Sequence, residues 1–314
     1  MTKRTILIKA VVPILQITFK GFHNGIELEA DININNIAGI YNTHLIHHYS
    51  RQDDRFPALC LLIKHWALNS GINSAQDGTF NSYSLILLVL HYMQCACQPP
   101  IVPNLQEVCP DTFNGQVPIT DLRFFEDEYT FESENHSDFT ALLMGFFAYY
   151  AGFDFDKYAI SIRRNRVFPK QILPQETRKK YVVFIEEPFD HNNTARCVRP
   201  EGLDKIKKAL NEGNRIWNFR KRPSLKKIGQ FSQSERTYKI NGYSKQEVEE
   251  EENHHQQQHL HNYHLHLLSS LRQVLQLYHL SFLQQAFHLL QVEFSFSIFL
   301  YKRRSTRSYR SRSD

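Results

Sequence analysis

The hydrophobic pattern of this chain changes its period once, close to residue 36. Between residues 26 and 32 apolar and polar side chains alternate, which predicts a half-buried β-strand that ends near Asp31. Beyond Asn36 the apolar residues recur every three or four positions, as on helices: Leu59, Leu62, Ile63 and Trp66, then Leu85, Leu88, Val89 and Tyr92. The chain is therefore predicted to be an α+β protein, with strands at its start and mostly helices afterwards.

The sequence divides into three regions of different character. Residues 1–36 have strand patterns, and residues 37–230 have helical patterns with a proline-rich interruption. Further helices are predicted over residues 138–151 and 204–222, and a short strand over residues 181–185. Residues 231–314 are rich in His and Gln and then in Arg and Ser, so we predict a low-complexity, disordered tail.

Charge and cysteine content narrow the classes of function. The net charge of +5 permits a polyanionic partner. The five cysteines lack the spacing of a disulfide framework, which favours a reducing compartment, and we expect the cytoplasm. Since the apolar runs fall far short of the roughly 18 residues that a membrane span needs, no membrane partner is expected.

A series of short blocks combines polar and aromatic residues in a definite order. The blocks are residues 31–36, 42–45, 64–67, 78–84, 142–155 and 185–196. In this order and spacing they resemble the non-canonical poly(A) RNA polymerases of the cytoplasmic, germline-development type and the terminal uridylyltransferases. The last two blocks resemble their poly(A)-polymerase-associated (PAP-associated) segment.

The domain organisation implied by this resemblance follows the three regions. Residues 1–36 would be a partial nucleotidyltransferase palm, and residues 37–230 a mostly helical central and PAP-associated domain. Residues 231–314 match nothing in the family and would be the tail.

The resemblance also implies an activity, the template-independent addition of AMP from ATP to RNA 3′ ends, which is mRNA polyadenylation. Such transfer uses two Mg²⁺ (or Mn²⁺) ions that clamp the attacking and leaving oxygens, and carboxylates hold these ions. Asp31 matches the third catalytic carboxylate and is assigned as catalytic and metal-binding. Its alternative role is that of a solvated or capping residue at a strand end. The implied partners are the RNA 3′ end, a nucleoside triphosphate, and an RNA-binding protein that supplies target specificity.

Five residues match the family's nucleotide-binding positions. Asn36 and Thr43 would lie near the nucleotide sugar, with turn and helix-cap chemistry as the alternative. Lys64 and Ser82 would contact the phosphates, since a point charge and a helix start both suit anions. Tyr83 would stack on the base, and its alternative role is that of a core tyrosine.

Base choice is assigned to Glu187, Asp190 and Asn193. Uridylyl-adding relatives carry a His three residues after the position of Asp190, and this chain has Asn193 there. The pattern therefore favours adenine. His191 is close by in the sequence, so uridine remains the alternative base.

Part of the family's catalytic set is missing ahead of Asp31. The Gly-Ser turn and the Asp-x-Asp pair of the family should precede Asp31 by tens of residues, yet no Asp or Glu precedes Glu27. We therefore interpret the chain as N-terminally truncated, without two of the three catalytic carboxylates, and expect it to be inactive alone. Two alternatives stay open: a terminal uridylyltransferase, and a non-catalytic module that binds nucleotide, RNA or a protein.

Overall fold

The computed structural model describes most of the chain up to residue 220. The described residues are 2–9, 13–22, 26–33, 36–124 and 129–220, with three two-residue strands at 239–240, 243–244 and 296–297. Two compact units are present, one formed by Met1–His44 with Leu280–Asp314 and the other by Leu45–His279.

The first unit contains an antiparallel sheet. Its strands are β1 (Thr2–Ile8), β2 (Ile14–Phe22) and β3 (Ile26–Asn33), and they lie in the order β1-β2-β3. Asp31 of β3 lies opposite Gln16 of β2, and opposite Ser297 of the short strand Phe296–Ser297 on the other side. The strand predicted over residues 26–32 is confirmed.

Seven α-helices, from four to 21 residues long, lie wholly or partly in the described part of the second unit. They are α1 (Ile37–Gln52), whose second half belongs to this unit, α2 (Arg55–Asn69), α3 (Ser82–His91), α4 (Leu105–Val108), α5 (Phe139–Ala151), α6 (Gln175–Lys180) and α7 (Pro200–Arg220). The apolar positions that predicted α2 and α3 are buried, among them Leu59, Ile63, Leu85 and Leu88. Asp138 begins α5 by accepting a hydrogen bond from the Ala141 backbone N–H at 2.7 Å, and thus caps the predicted helix.

The second unit also contains a small sheet that the sequence pattern did not predict. Strands β4 (Tyr158–Ser161) and β5 (Arg166–Pro169) form an antiparallel hairpin, and β6 (Ile185–Glu186) pairs in parallel with β4. The strand predicted over residues 181–185 was therefore wrong in its bounds. Strands this short carry too few alternating positions to be recognised from a pattern.

Helix α7 begins earlier than predicted, at Pro200 instead of Asp204. Proline suits the first helical position, because its fixed φ is helical and it has no N–H to leave unpaired. Gly202 packs directly on the Gly78 carbonyl oxygen, and a Cβ atom has no room there. This close approach joins the start of α7 to the turn that precedes α3.

The expected α+β class is confirmed. The domain bounds 1–36, 37–230 and 231–314 stay a prediction, and residues 231–314 lie outside the described residues apart from the three short strands. Among the described helices, none has both the length and the apolar character required to cross a bilayer.

Candidate functional site

Asp31 lies in the sheet of the first unit, near the end of β3. Its side chain is half-buried, and the Gln16 side-chain amide donates a hydrogen bond of 3.2 Å to Oδ1. Within the described part of the chain, no three His, Cys, Asp or Glu side chains form a group that could hold a metal ion.

Asn36 and Thr43 make local contacts around the first turns of α1. The Asn36 Oδ1 accepts a hydrogen bond of 3.4 Å from the Gly39 backbone N–H, which is helix-cap chemistry. The Thr43 hydroxyl is exposed and donates to the Gly39 carbonyl at 2.8 Å. The Asn36 contact agrees with its alternative role as a helix cap, whereas the Thr43 contact lies inside α1, and contact of either residue with a nucleotide stays a prediction.

Lys64 lies on α2 next to the buried Ile63. The lysine side chain is half-buried, and burial lowers the pKa of its ammonium group. A partly desolvated ammonium group attracts an anion more strongly than a fully hydrated one.

The start of α3 carries Ser82 and Tyr83. Asn81 caps the helix, because its Oδ1 accepts a hydrogen bond of 2.7 Å from the Ser84 N–H. The Ser82 hydroxyl donates to the Asn73 Oδ1 at 3.3 Å. The Tyr83 hydroxyl donates to the Glu187 Oε1 at 3.5 Å, so two predicted site residues that are 104 positions apart meet directly. Burial, with the Glu187 charge second, raises the pKa of Tyr83 well above its ordinary range.

Glu187 is a buried carboxylate that organises the following turn. Its Oε2 accepts hydrogen bonds from the N–H groups of Phe189 at 2.6 Å and Asp190 at 2.7 Å. Burial raises the pKa of Glu187, and these two N–H groups oppose that shift. Because two backbone donors hold one oxygen, the other oxygen is left for Tyr83.

Asp190 is exposed and makes hydrogen bonds to Asn192. Its two carboxylate oxygens accept from the Asn192 backbone N–H at 2.9 Å and from the Asn192 side-chain amide at 2.8 Å. Partial desolvation acts to raise the pKa of Asp190, but the hydrogen bonds with Asn192 and Glu187 and the charge of Arg196 together shift it downward.

Asn193 is buried, and its side chain is bound to backbone groups. The Nδ2 donates to the Val183 carbonyl at 2.8 Å, while Oδ1 accepts from the N–H groups of Ile185 and Ala195, both at 3.0 Å. The amide thus joins β6 to the segment that returns beside it. Its predicted part in base choice stays a prediction.

His191 is the exposed polar residue beside Asp190. Its backbone has a positive φ of 61°. The ring lies between two charged side chains, with Nδ1 3.0 Å from the Glu186 Oε1 and Nε2 2.6 Å from the Arg163 Nη1. A guanidinium only donates hydrogen bonds, so Nε2 accepts from Arg163, and Nδ1 carries the proton that it donates to Glu186.

Several residues that shape this site were not predicted from the sequence. Asn81 caps α3, and its Nδ2 also donates to the Thr194 carbonyl at 2.8 Å. Arg163, in the turn between β4 and β5, contacts the His191 ring. The helix-start pattern at Asn81 was a usable signal, but nothing in the local sequence indicates a partner 113 positions away.

Two family models match this chain. The model of the Cid1 family poly A polymerase matches residues 138–193. The model of the central palm domain of the mitochondrial-like poly(A) RNA polymerase matches residues 1–51.

Curated relatives are similar over about two thirds of this chain. It is 43% identical to the poly(A) RNA polymerase gld-2 homolog B of Drosophila melanogaster over 199 residues, which cover 61% of this chain and 14% of that protein. It is 39% identical to the poly(A) RNA polymerase GLD2 of Homo sapiens over 225 residues, which cover 69% of this chain and 44% of the human protein. The chain therefore spans less than half the length of these two relatives.

Solved structures of the Cid1 poly(U) polymerase have a similar fold. A mutant form of that enzyme bound to MgATP is 33% identical with a TM-score of 0.59, covering 70% of this chain and 69% of that one. The complex of Cid1 with its short product ApU is 32% identical with a TM-score of 0.60, covering 70% of each chain.

Proposed function

We propose that the protein adds AMP from ATP to RNA 3′ ends without a template. The chain belongs to the family of non-canonical poly(A) RNA polymerases and terminal uridylyltransferases, and this membership is the basis of the proposal. The observation that carries the proposal is the contact between the Tyr83 hydroxyl and the Glu187 carboxylate. In this contact an aromatic ring suited to stacking on a base lies next to a carboxylate predicted to act in base choice, and Ser82 precedes this ring at the start of the same helix.

The proposed nucleotide-binding residues differ in the part of ATP that each would contact. In this proposal Lys64 and Ser82 bind the triphosphate, the first as a point charge and the second as a hydroxyl donor. Tyr83 stacks on the base, while Glu187 and Asp190 present carboxylates near its edge. Asn36 and Thr43 would contact the sugar and its surroundings. The protein's partners would be the RNA 3′ end, ATP, and an RNA-binding protein that selects the target.

A divalent cation is the cofactor that the family chemistry requires, and Mg²⁺ or Mn²⁺ would be held in part by Asp31. A carboxylate oxygen is the kind of ligand that Mg²⁺ prefers. However, the described residues do not fit a complete two-ion site, because they contain no group of three candidate ligands. When bound, the ions supply charge neutralisation at the transferring phosphate.

Adenine is the proposed base, on the strength of the similarity to named poly(A) polymerases. The rival is uracil, and one observation favours it: the amide of Asn193 is buried and bound to the backbone, whereas the His191 ring is partly exposed beside Asp190, although both its nitrogens contact Glu186 and Arg163. A second rival is a module that binds nucleotide or RNA without catalysis.

The cytoplasm is the proposed compartment, because the spacing of the five cysteines favours a reducing environment.

Primer extension tests the function. We would compare the 314-residue polypeptide with a longer protein in which these residues follow the family's Gly-Ser and Asp-x-Asp segment. The longer protein should extend an RNA primer with ATP and Mg²⁺, and the 314 residues alone should not, since one carboxylate cannot hold two ions. Asp31→Asn in the longer protein should abolish extension while leaving thermal unfolding nearly unchanged.

Three results would count against the proposal. Preference for UTP by the longer protein would favour the uridylyltransferase. Extension by residues 1–314 alone would contradict the assigned carboxylate requirement. Nucleotide or RNA binding without extension by the longer protein would favour the non-catalytic module.

A further inference from the structure

We infer that Asn81 is a positioning residue of the proposed nucleotide site. Its side chain joins the start of α3, which carries Ser82 (the phosphate side), to residues 185–195, which carry Glu187 and Asp190 (the base side). The inference rests on the proposed function for what the two sides bind, and on the contacts of Asn81 for the coupling itself. Its side chain has two polar ends, and each is used on a different segment.

One end of Asn81 sets the start of α3. The Oδ1 accepts the Ser84 N–H at 2.7 Å, which caps the helix and fixes the backbone on which Ser82 and Tyr83 stand. An Asp or Ser side chain can also do this, since both are good N-cap residues.

The other end of Asn81 reaches the segment that follows the base-side turn. The Nδ2 donates to the Thr194 carbonyl at 2.8 Å. Thr194 in turn binds β6 twice, because its N–H and its hydroxyl both donate to the Ile185 carbonyl, at 2.9 and 3.2 Å. Ile185 lies two positions before Glu187. The contacts of Asn81 therefore connect the start of α3, through Thr194, to the segment that carries the Glu187 carboxylate.

Neighbouring contacts support the same junction. The Ser84 hydroxyl donates to the Thr194 Oγ1 at 3.3 Å, and the Cys197 thiol donates to the Thr79 carbonyl at 3.2 Å. These contacts also hold residues 79–84 against residues 194–197. Asn81 differs from them because it alone among these side chains also caps α3.

Two substitutions separate the cap from the coupling. Asn81→Asp is nearly isosteric and keeps the capping oxygen, but it replaces the amide donor by an oxygen that faces the Thr194 carbonyl. Asn81→Ser keeps a capping hydroxyl and is too short to reach Thr194. The matched control is Asp138→Asn, which exchanges the same two groups at the cap of α5, away from this junction.

The first measurement is amide hydrogen exchange on the 314-residue chain, which requires no activity. Both Asn81 variants should exchange faster at the amides of residues 185–195, while the amides of α5 keep their wild-type rates. The Asp138→Asn variant should leave residues 185–195 unchanged. Unchanged exchange over 185–195 in both Asn81 variants would overturn the coupling.

The second measurement is steady-state primer extension with MgATP in the longer protein described above. Loss of one hydrogen bond between the two sides should raise the KM for ATP by roughly three- to tenfold. The kcat should stay within about twofold, because the interaction helps binding before and during the reaction alike. A purely stabilising role would instead lower kcat through a smaller folded fraction and leave KM unchanged, and that result would overturn the inference. If the wild-type longer protein extends no primer, the proposed function fails, and hydrogen exchange alone decides the coupling.

Discussion

Glu186 and Glu187 are adjacent, and both are only 6% exposed, yet their surroundings differ. Glu187 is held by uncharged donors, namely two backbone N–H groups and the Tyr83 hydroxyl. Its ionisable neighbour is a second carboxyl group, that of Asp190, whose charge adds to the effect of burial on the Glu187 pKa. Glu186 faces basic side chains instead, with the His191 Nδ1 at 3.0 Å and the Arg164 guanidinium at 4.0 Å. Successive side chains of an extended segment point to opposite sides, which is why two neighbours reach different partners.

The difference between the two carboxylates separates two kinds of role. Glu187 is bound into the turn that contains Asp190 and meets the residue proposed to stack on the base. Glu186 links the base-side turn to the β4–β5 hairpin through His191 and Arg163. Its Oε2 is buried and has no hydrogen-bond partner among the residues that the structure describes. A buried carboxylate oxygen without a donor is costly, so Glu186 should depend strongly on the partners it has.

The largest expected effect concerns Asn193, which binds the backbone at β6, the strand that ends at Glu186 and directly precedes Glu187. Asn193→Ala removes the partner of the Val183 carbonyl and of the Ile185 and Ala195 N–H groups, so we expect a loss of about 3 kcal/mol in the free energy of unfolding. Urea unfolding of the 314-residue chain measures it. Asn192→Ala, at the exposed neighbour, should cost well under about 1 kcal/mol. Equal losses in the two variants would show that the buried contacts of Asn193 stabilise the fold no more than the exposed contacts of Asn192.

The next effect is the coupling between Glu186 and His191. A double-mutant cycle with Glu186→Gln and His191→Asn should give a coupling free energy of about 1 kcal/mol, because the pair is a charge-assisted hydrogen bond at one exposed and one buried side chain. Asn is chosen because it tolerates the positive φ at position 191. Additive single and double variants would contradict the assigned proton on Nδ1.

A smaller effect should appear as a pH dependence at Glu187. Burial raises the pKa of this carboxyl in the folded state above its value in the unfolded chain. The stability that the protonated carboxyl contributes is therefore fully present below the unfolded-state pKa and is lost as pH rises through the folded-state pKa. Glu187→Gln does not titrate. Its deficit relative to wild type, roughly 1 kcal/mol or less, should therefore be largest near pH ~4 and shrink as pH rises.

Urea midpoints of wild type and Glu187→Gln across that range are the measurement. A deficit that grows with pH would mean that the Glu187 pKa is lowered on folding and that the backbone donors outweigh burial.

The smallest effect is expected for Tyr83→Phe. Its hydroxyl contact with Glu187 is 3.5 Å long, at the limit of a hydrogen bond, so the free energy of unfolding should change by only a few tenths of a kcal/mol (~0.5 at most). The KM for ATP in the longer protein should also be nearly unchanged, because the ring that stacks is retained. Tyr83→Ala removes the ring and should weaken ATP binding by about 1–3 kcal/mol. Equal effects of the two variants would count against stacking.

The pattern of the sequence predicted the elements with long, regular periods and missed those held by distant partners. Helices α2, α3 and α5 were found because their apolar positions recur over about two turns or more and bury one face. The hairpin β4–β5 was missed because each strand has only four residues and Arg166 begins one of them. For the candidate site, the motifs predicted Tyr83 and Glu187 as neighbours in function, and the structure brings them into contact.

The sequence by itself determined the α+β class, the helical core and the membership of a polymerase family, because periodicity and motif order are local properties of the chain. Only the tertiary structure decided what each polar side chain at the site does. Asn193 is bound to the backbone on both ends, Asn81 reaches Thr194, and Glu186 and Glu187 have different partners. The physical reason is that a buried hydrogen bond depends on the direction and distance of a partner that lies far away in the sequence.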